Sequence, residues 1–380
     1  MEPDEEWSPS NLWDDFDPYE DDLNIEVAET VEQEDIEIDE LTYVSHYFED
    51  QPIVIYGFFA LPLNQEKLPA VLHIHGGGQT ASREHVIHWA KRGYAALSFD
   101  WTGPTENREK FSDLGEVSTD KYLVQPTPCY SHLYHGVLVA RRGLTFLEDQ
   151  PEIDPDRLGI YGISWGGFLS WLVNGSDSRV KVSTAIYGCG GTLKRGNATG
   201  SDFDTEDDEQ RLWNYCFNPF GYAGLLSGAM MLLNSTNDFF GWMDTAEELF
   251  SILPAHHSLC FCPHFNHHID ENTSRNLYAW IDAHLKDPAS PWPAQTGLEL
   301  FYDDGIKARI QTDHPDEVES VEAFMAGHYV PSPSRFWAPL PVANEGDEWV
   351  ANAIVPDAET AHSIFATVHY RRGISVSSIP

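Results

Sequence analysis

The sequence predicts an α/β domain with a mostly parallel central sheet flanked by helices, followed by a small all-β, sandwich-like domain. Three observations carry that prediction. Apolar runs alternate with helical patterns from residue 40 to residue 285, the rhythm of strand–helix–strand units. Two of those strands run straight into glycine-rich turns, His75-Gly76-Gly77-Gly78 and Gly162-Ile163-Ser164-Trp165-Gly166. Composition then breaks at Asp287-Pro288-Ala289-Ser290-Pro291-Trp292-Pro293, and only short β-type runs follow.

The expected organisation is an acidic arm over residues 1–40, an α/β domain over 41–287 with an insertion at 188–228, and a β domain over 294–380. Leu41 to Tyr47 and Ile53 to Leu63 read as early antiparallel strands. Ala70 to Ile74 is a short apolar strand that ends at His75. Ser82 to Lys91 carries Val86, Ile87 and Ala90 at helical spacing and stops at Gly93. Tyr94 to Phe99 is the next strand, and Tyr130 to Leu147 a long helix after an irregular stretch. Arg157 to Tyr161 is a strand, Phe168 to Val173 a helix and Val180 to Tyr187 a strand. The insertion, rich in Gly, Asp and aromatics, interrupts this rhythm. Met230 to Leu233, Thr245 to Ile252, Ser258 to Cys262 and Ile269 to Leu285 then read as strand, helix, strand and helix. In the trailing domain the β runs are Leu298 to Tyr302, Val318 to Met325, Trp349 to Ile354 and Ile364 to His369.

Charge excludes several functions. The 380 residues hold 22 Lys and Arg against 61 Asp and Glu, a net charge of −39. Such a chain is repelled by phosphate backbones and anionic membranes, so neither nucleic acid nor membrane is an expected partner. No apolar run approaches the roughly 20 residues of a membrane-spanning helix. The start, Met1-Glu2-Pro3-Asp4, lacks the basic and apolar regions of a signal peptide. The expectation is a cytoplasmic protein, or a secreted one if a leader has been removed. Residues 1–40 hold 18 of the acids and no Lys or Arg. Residues 1–22 of this arm read as a solvated tail; a docked arm, held by Trp7, Trp13, Phe16 and Tyr19, is the alternative. Lysine is scarce, at 8 residues, and acids abound, as in proteins adapted to concentrated salt.

The chemistry sits at strand ends. In Gly-x-Ser-x-Gly a strand turns sharply into a helix and lifts the serine to the sheet edge. A neutral hydroxyl is a poor nucleophile, so Ser164 needs a base, and the base needs an orienting acid. The acid and base candidates follow in order. Asp238 lies past the strand Met230 to Leu233, with Asp244 as its rival. His267 lies past the strand Ser258 to Cys262, with His264 and His268 as rivals. An attacked carbonyl develops negative charge and needs two N–H donors. Trp165, after the nucleophile, is one; Gly77 is the other, with Gly78 second. No Lys-Ser/Thr follows the glycines, so a phosphate-binding loop is not expected.

Residues 50–285 resemble an α/β-hydrolase of the dienelactone hydrolase, acetyl xylan esterase and prolyl oligopeptidase kinship. The resemblance rests on Leu68 to Gly78, Gly93 to Asp100, Asp154 to Gly167 and Asn234 to Asp238. It implies the α/β-hydrolase fold and a serine hydrolase with Ser164 as nucleophile, Asp238 as acid and His267 as base. Dienelactone hydrolases use Cys where this chain has Ser164, which argues against their reaction. Prolyl oligopeptidases carry a β-propeller too large for 380 residues, which argues against that peptidase class. The trailing β domain resembles one found on bacterial hydrolases of this type.

Trp101 and Trp165 fall near the catalytic edge, and Trp213, Tyr215, Phe217, Phe220 and Tyr222 fall in the insertion. These aromatics either stack on an acyl group or sugar ring or pack a lid onto the body. Gly78, Trp101 and Trp213 are the substrate-binding candidates. Cys260, Cys262, His264 and His267 are zinc-compatible in type, but the cysteines belong to a buried strand, so no metal or other cofactor is expected. The reading is a serine carboxylesterase acting through an acyl-enzyme on small acyl esters, including those of carbohydrates. The alternatives are a non-catalytic scaffold or a serine peptidase.

Overall fold

The computed structural model describes residues 7–105, 108–189, 208–254, 256–287, 291–302, 305–328, 330–346, 348–353 and 362–380. Packing divides the chain into two units. One is built mainly on the chain up to Gly188 and on the stretch closing at Ala229; the other is built mainly on Met230–Pro380.

The first unit opens with a hairpin, β1 (Glu26–Gln33) and β2 (Ile36–Phe48), followed by β3 (Gln51–Pro62) and β4 (Leu68–Ile74). Helix α1 (Arg83–Lys91) leads to β5 (Ala95–Phe99), and α2 (His132–Glu148) to β6 (Ile153–Ile163). Helix α3 (Trp165–Ser176) leads to β7 (Val180–Ile186), and α4 (Asp208–Phe217) and α5 (Pro219–Tyr222) close the unit. The strand order is β1-β2-β3-β5-β4-β6-β7. β5, β4, β6 and β7 run parallel, while β1, β2 and β3 extend the sheet antiparallel. β4 is buried along its whole length, as a strand covered on both faces must be. Side-chain caps start the helices: Ser82 Oγ accepts from His85 N–H at 3.3 Å, and Ser131 Oγ from Leu133 N–H at 3.2 Å.

The arm is not a solvated tail from residue 7 onward, which corrects the sequence expectation for residues 1–22. Trp13 is buried and stacks on Tyr134 at 5.2 Å. Phe16 lies under the Arg141 guanidinium at 5.1 Å, and Tyr19 under that of Arg179 at 5.1 Å. Arg142 donates to the carbonyls of Pro18 and Asp21. The aromatics recur every three residues, so the looping chain turns them to one side and leaves the acids in water. β1 and the first residues of β2 lie before residue 41, so the acidic segment expected to end at residue 40 contributes to the sheet.

In the second unit, β8 (Ala229–Ser235), α6 (Met243–Ile252), β9 (His257–Cys262) and α7 (Glu271–Leu285) come first, with β8 and β9 parallel. Then follow β10 (Gly297–Tyr302), β11 (Ile306–Gln311), β12 (Val318–Gly327), β13 (Ala338–Pro339), β14 (Val342–Asn344), β15 (Trp349–Ala353), β16 (His362–Tyr370) and β17 (Ile374–Ser377). They make two antiparallel sheets, β10-β11-β15-β14 and β13-β12-β16-β17. Inward residues of both, including Ile310, Ala351, Ile364 and Val368, share one core.

Packing does not separate this β region from α7 at residues 287–294, where composition breaks. Hydrogen bonds tie the β region to both β9 and α7. Phe261 N–H donates to Ser377 Oγ at 2.9 Å, and Ser375 N–H to Asn276 Oδ1 at 2.9 Å. Trp292, in the proline-rich stretch itself, packs edge-on against Trp280 at 5.0 Å. Among the described residues no helix is long and apolar enough to cross a membrane.

Candidate active site

In the first unit β6 ends at Ile163 and α3 begins at Trp165, so Ser164 alone makes the turn. Its backbone sits at φ 57° and ψ −117°, a conformation a non-glycine residue holds only when its surroundings enforce it. The enforcement is visible. Ser164 N–H donates to Ile186 O at 2.8 Å, and its carbonyl accepts from Phe168 N–H at 2.9 Å. The flanking glycines are needed sterically. A Cβ on Gly162 would stand 2.0 Å from Gly166 O, and one on Gly166 2.0 Å from Ile74 O.

The glycine loop after β4 lies against this turn. A Cβ on Gly76 would come within 3.1 Å of Ser164 Cβ, and one on Gly77 within 3.0 Å of Trp165 Cδ1. Gly76 N–H is committed to Gln79 Oε1 at 2.7 Å. Gly78 sits at φ 72°, and its carbonyl accepts from Arg108 at 2.8 Å. His75 is buried below the loop, with Nδ1 2.8 Å from Gly76 O and Nε2 3.3 Å from Asp100 Oδ1. Burial works to raise the Asp100 pKa, but hydrogen bonds from His75 and from the Ser112 and Thr102 backbone outweigh it and hold the carboxyl below its usual range.

Two substrate-binding candidates turn out to be packing groups. Trp101 is buried and donates its indole N–H to His75 O at 2.9 Å, so it supports the glycine loop from beneath. Trp213 is buried too; it donates to Lys121 O at 2.7 Å and packs on Tyr122 and Phe168. Neither offers an open face. Trp165 packs against Tyr122 at 6.0 Å and Phe168 at 5.5 Å. Of the lid-like insertion expected at 188–228, residues 190–207 lie outside the described residues.

Lys121 was not singled out from sequence. Its ammonium stands 5.5 Å from the Trp101 ring and 5.7 Å from the Trp165 ring, and burial lowers its pKa. Nothing in the irregular stretch from Thr102 to Cys129 marks it, because its position depends on two distant indoles.

In the second unit the loop after β8 carries Asp238 and the loop after β9 carries His267. Asp238 is fully buried, and its Oδ2 lies 2.6 Å from His267 Nδ1. Its other oxygen accepts from the N–H groups of Phe240 and Gly241, at 2.7 and 2.5 Å. The carboxylate is thus fixed by the backbone and presents one oxygen to the imidazole. His267 keeps 24% of its side chain exposed, with the Phe239 ring 4.6 Å away. The Asp-His arrangement orients an imidazole and stabilises its protonated form, as a general base requires.

The rivals are engaged elsewhere. Asp244 forms an ion pair with Arg335 at 2.6 Å, and His264 Nε2 donates to Trp337 O at 2.8 Å. Cys260 and Cys262 are buried, and burial pushes both thiols up to about 12, as for small packing groups. Among the described residues no cluster of three or more His, Cys, Asp and Glu side chains is arranged to hold a metal.

Residues 7–197 match the family model described as acetyl xylan esterase (AXE1). Two solved structures share the fold. The acetyl xylan esterase from Paenibacillus sp. R4 is 19% identical, with a TM-score of 0.59 over 70% of this chain and 91% of that one. Acetyl xylan esterase 1 from Thermoanaerobacterium sp. JW/SL YS485 is 16% identical, with a TM-score of 0.56 over 69% and 88%. An uncharacterized peptidase of Bacillus subtilis, YuxL, is 24% identical over 63% of this chain and 38% of its own length. The putative hydrolase YtaP of the same organism is 26% identical over 33% of this chain and 45% of its own. The chain spans less than half the length of these curated relatives.

Proposed function

The chain belongs to the acetyl xylan esterase family, and from that premise we propose that it is a serine ester hydrolase working through Ser164, His267 and Asp238. His267 Nε2 takes the Ser164 proton as Oγ attacks the ester carbonyl. Asp238 holds the imidazole through Nδ1 and stabilises its charge. The oxyanion forms against the N–H groups of Trp165 and Gly77, with Gly78 as the second choice on the glycine loop. His267 then protonates the departing alcohol, and water, deprotonated by the same imidazole, releases the acid from the acyl-enzyme. Small acyl groups, including acetyl groups on carbohydrate, are the proposed substrates.

The observation that carries this reading is the Ser164 backbone at φ 57°, an outlier on the one residue whose side chain would have to be reactive. Hydrolysis of nitrophenyl acetate by the wild type and by Ser164→Ala tests it. A loss of kcat on the order of 10⁴ or more is expected for a triad nucleophile. A variant that keeps a tenth of the wild-type rate removes Ser164 from the mechanism.

A further inference from the structure

The loops bearing Asp238 and His267 are both gripped by one segment of the trailing β region. Between β12 and β13 the chain crosses from Val330 to Trp337 and meets the two loops at three points. Asn237, next to Asp238, points its side-chain NH₂ into a nest of carbonyls: 2.7 Å from Arg335 O, 3.2 Å from Pro333 O and 3.5 Å from Ser332 O. Asp244, three residues past Gly241, pairs its Oδ1 with Arg335 Nη2 at 2.6 Å and accepts from Ser332 N–H on Oδ2 at 2.9 Å. His264, three residues before His267, donates to Trp337 O at 2.8 Å and carries the exposed Phe336 ring 5.3 Å away.

The Asp244–Arg335 pair is buried, at 7% and 1% side-chain exposure. Arg335 also donates from Nε to Val330 O at 2.8 Å, so its guanidinium is fixed from both ends. Trp337 is fully buried and edge-on to Phe365 of β16 at 5.0 Å, which anchors the segment in the β core. The loops it grips need support. His264 and Asn266 sit at φ 64° and 50°, left-handed conformations that non-glycine residues hold only under constraint. The two loops also meet directly: His264 N–H donates to Thr236 Oγ1 at 3.1 Å, and Thr236 Oγ1 donates to Asn237 Oδ1 at 2.7 Å.

We infer that the β region is part of the catalytic apparatus, with Arg335 and Asn237 as positioning residues that hold Asp238 in register with His267. This rests on the reading of those two residues as acid and base. The geometry assigns each group its effect. Arg335 fixes the start of α6 through Asp244, and with it the backbone N–H groups of Phe240 and Gly241 that aim the Asp238 carboxylate. Asn237 fixes the other side of the same residue. Loss of either lets the carboxylate drift from Nδ1, which costs transition-state stabilisation and leaves ground-state ester binding unchanged.

The test uses the full chain with nitrophenyl acetate. Arg335→Met, Arg335→Lys, Asn237→Ala and His267→Ala are compared for kcat and KM, with thermal unfolding measured on each and assays run well below the transition. Arg335→Met and Asn237→Ala are expected to lose roughly 10- to 100-fold in kcat with KM within about twofold. Arg335→Lys should recover part of the loss, since it keeps the charge but not the two-ended fork. Asn237→Ala removes no buried charge, so it stays informative should Arg335→Met fail to fold. If His267→Ala is inactive while Asn237→Ala turns over at the wild-type rate, the inference is overturned and the base assignment stands. If His267→Ala keeps the wild-type rate, the base assignment itself fails.

Discussion

His267 Nδ1 lies 2.6 Å from Asp238 Oδ2, and the carboxylate that receives it is held on its other oxygen by two backbone N–H groups. A buried carboxylate with both oxygens committed cannot rotate away from the imidazole. That is what separates His267 from its neighbours. His264 is committed to Trp337 O, and His268 has an exposed side chain.

The neighbours therefore give the sharpest mutational contrast. On the proposed mechanism His267→Ala should lose nearly as much kcat as Ser164→Ala, about 10³-fold or more, because a triad's nucleophile and base act as a unit. His268→Ala should stay within about threefold of the wild type. Steady-state rates on nitrophenyl acetate decide it, and an inactive His268→Ala with an active His267→Ala would reverse the assignment.

What the sequence made legible was local. The turn at Ser164 was readable because its glycines and serine lie within five consecutive positions and the steric demand is met by the same segment. The placement of Asp238 and His267 in loops just past strand ends was readable because both follow short apolar runs. The engagement of Asp244, the rival to Asp238, was not readable, since it depends on Arg335 and Ser332, the latter 88 residues away. Nor was the burial of Trp101 or the docking of Trp13. Each follows from a distant surface that accepts the ring: His75 for one, Tyr134 for the other. The strand Ile306–Gln311 was missed because Ile306, Ala308 and Ile310 alternate with polar residues of equal number, too short a pattern to stand out.

Gly166 should be irreplaceable. Its hypothetical Cβ lies 2.0 Å from Ile74 O, a backbone atom inside a fully buried strand that has nowhere to move. Gly166→Ala should cost more than about 3 kcal/mol or abolish soluble expression. Gly224→Ala, where nothing lies within 4 Å, should stay within about 0.5 kcal/mol. Urea unfolding of the two variants checks this, and a Gly166→Ala protein as stable as the Gly224→Ala one contradicts the close approach.

Stability should fall on mild acidification. His46, His73, His132 and His135 are buried, and burial depresses their pKa values, to about 4 for His132 and about 3 for His135. The unfolded chain takes up protons on these residues near pH 6.5, while the folded chain does not. The unfolded state therefore binds more protons below that pH, and stability declines as pH drops through 6.5 toward the folded-state values. Each such histidine contributes up to about 1.4 kcal/mol per pH unit in that window. Relief of the −39 net charge by carboxylate protonation opposes this only nearer pH 4. Urea midpoints at pH 7.5 and 5.5 should differ, with the lower at pH 5.5; an equal or higher midpoint there would show that the imidazoles are protonated in the fold.

Small acyl groups should be preferred over long ones. The Trp165 ring follows the nucleophile directly and lies across the glycine loop, since a Cβ on Gly77 would be 3.0 Å from its Cδ1. Tyr122 and Phe168 pack against that ring, and Trp213 packs against both of them. A ring held by such neighbours cannot swing aside for a long chain without unpacking them. Unpacking buried aromatics exposes apolar area at about 25 cal/mol per Å², a cost that a longer acyl chain must repay from its own burial. The charge points the same way, because a chain at −39 is repelled by anionic lipid interfaces. The measurement is kcat/KM for nitrophenyl acetate, butyrate, octanoate and palmitate in one buffer, on the wild type and on Trp165→Ala. Acetate or butyrate should be best for the wild type, and the maximum should move to longer chains once the ring is removed. A wild-type optimum at octanoate or palmitate would mean that the acyl group enters away from Trp165 and that the aromatic cluster does not limit its length.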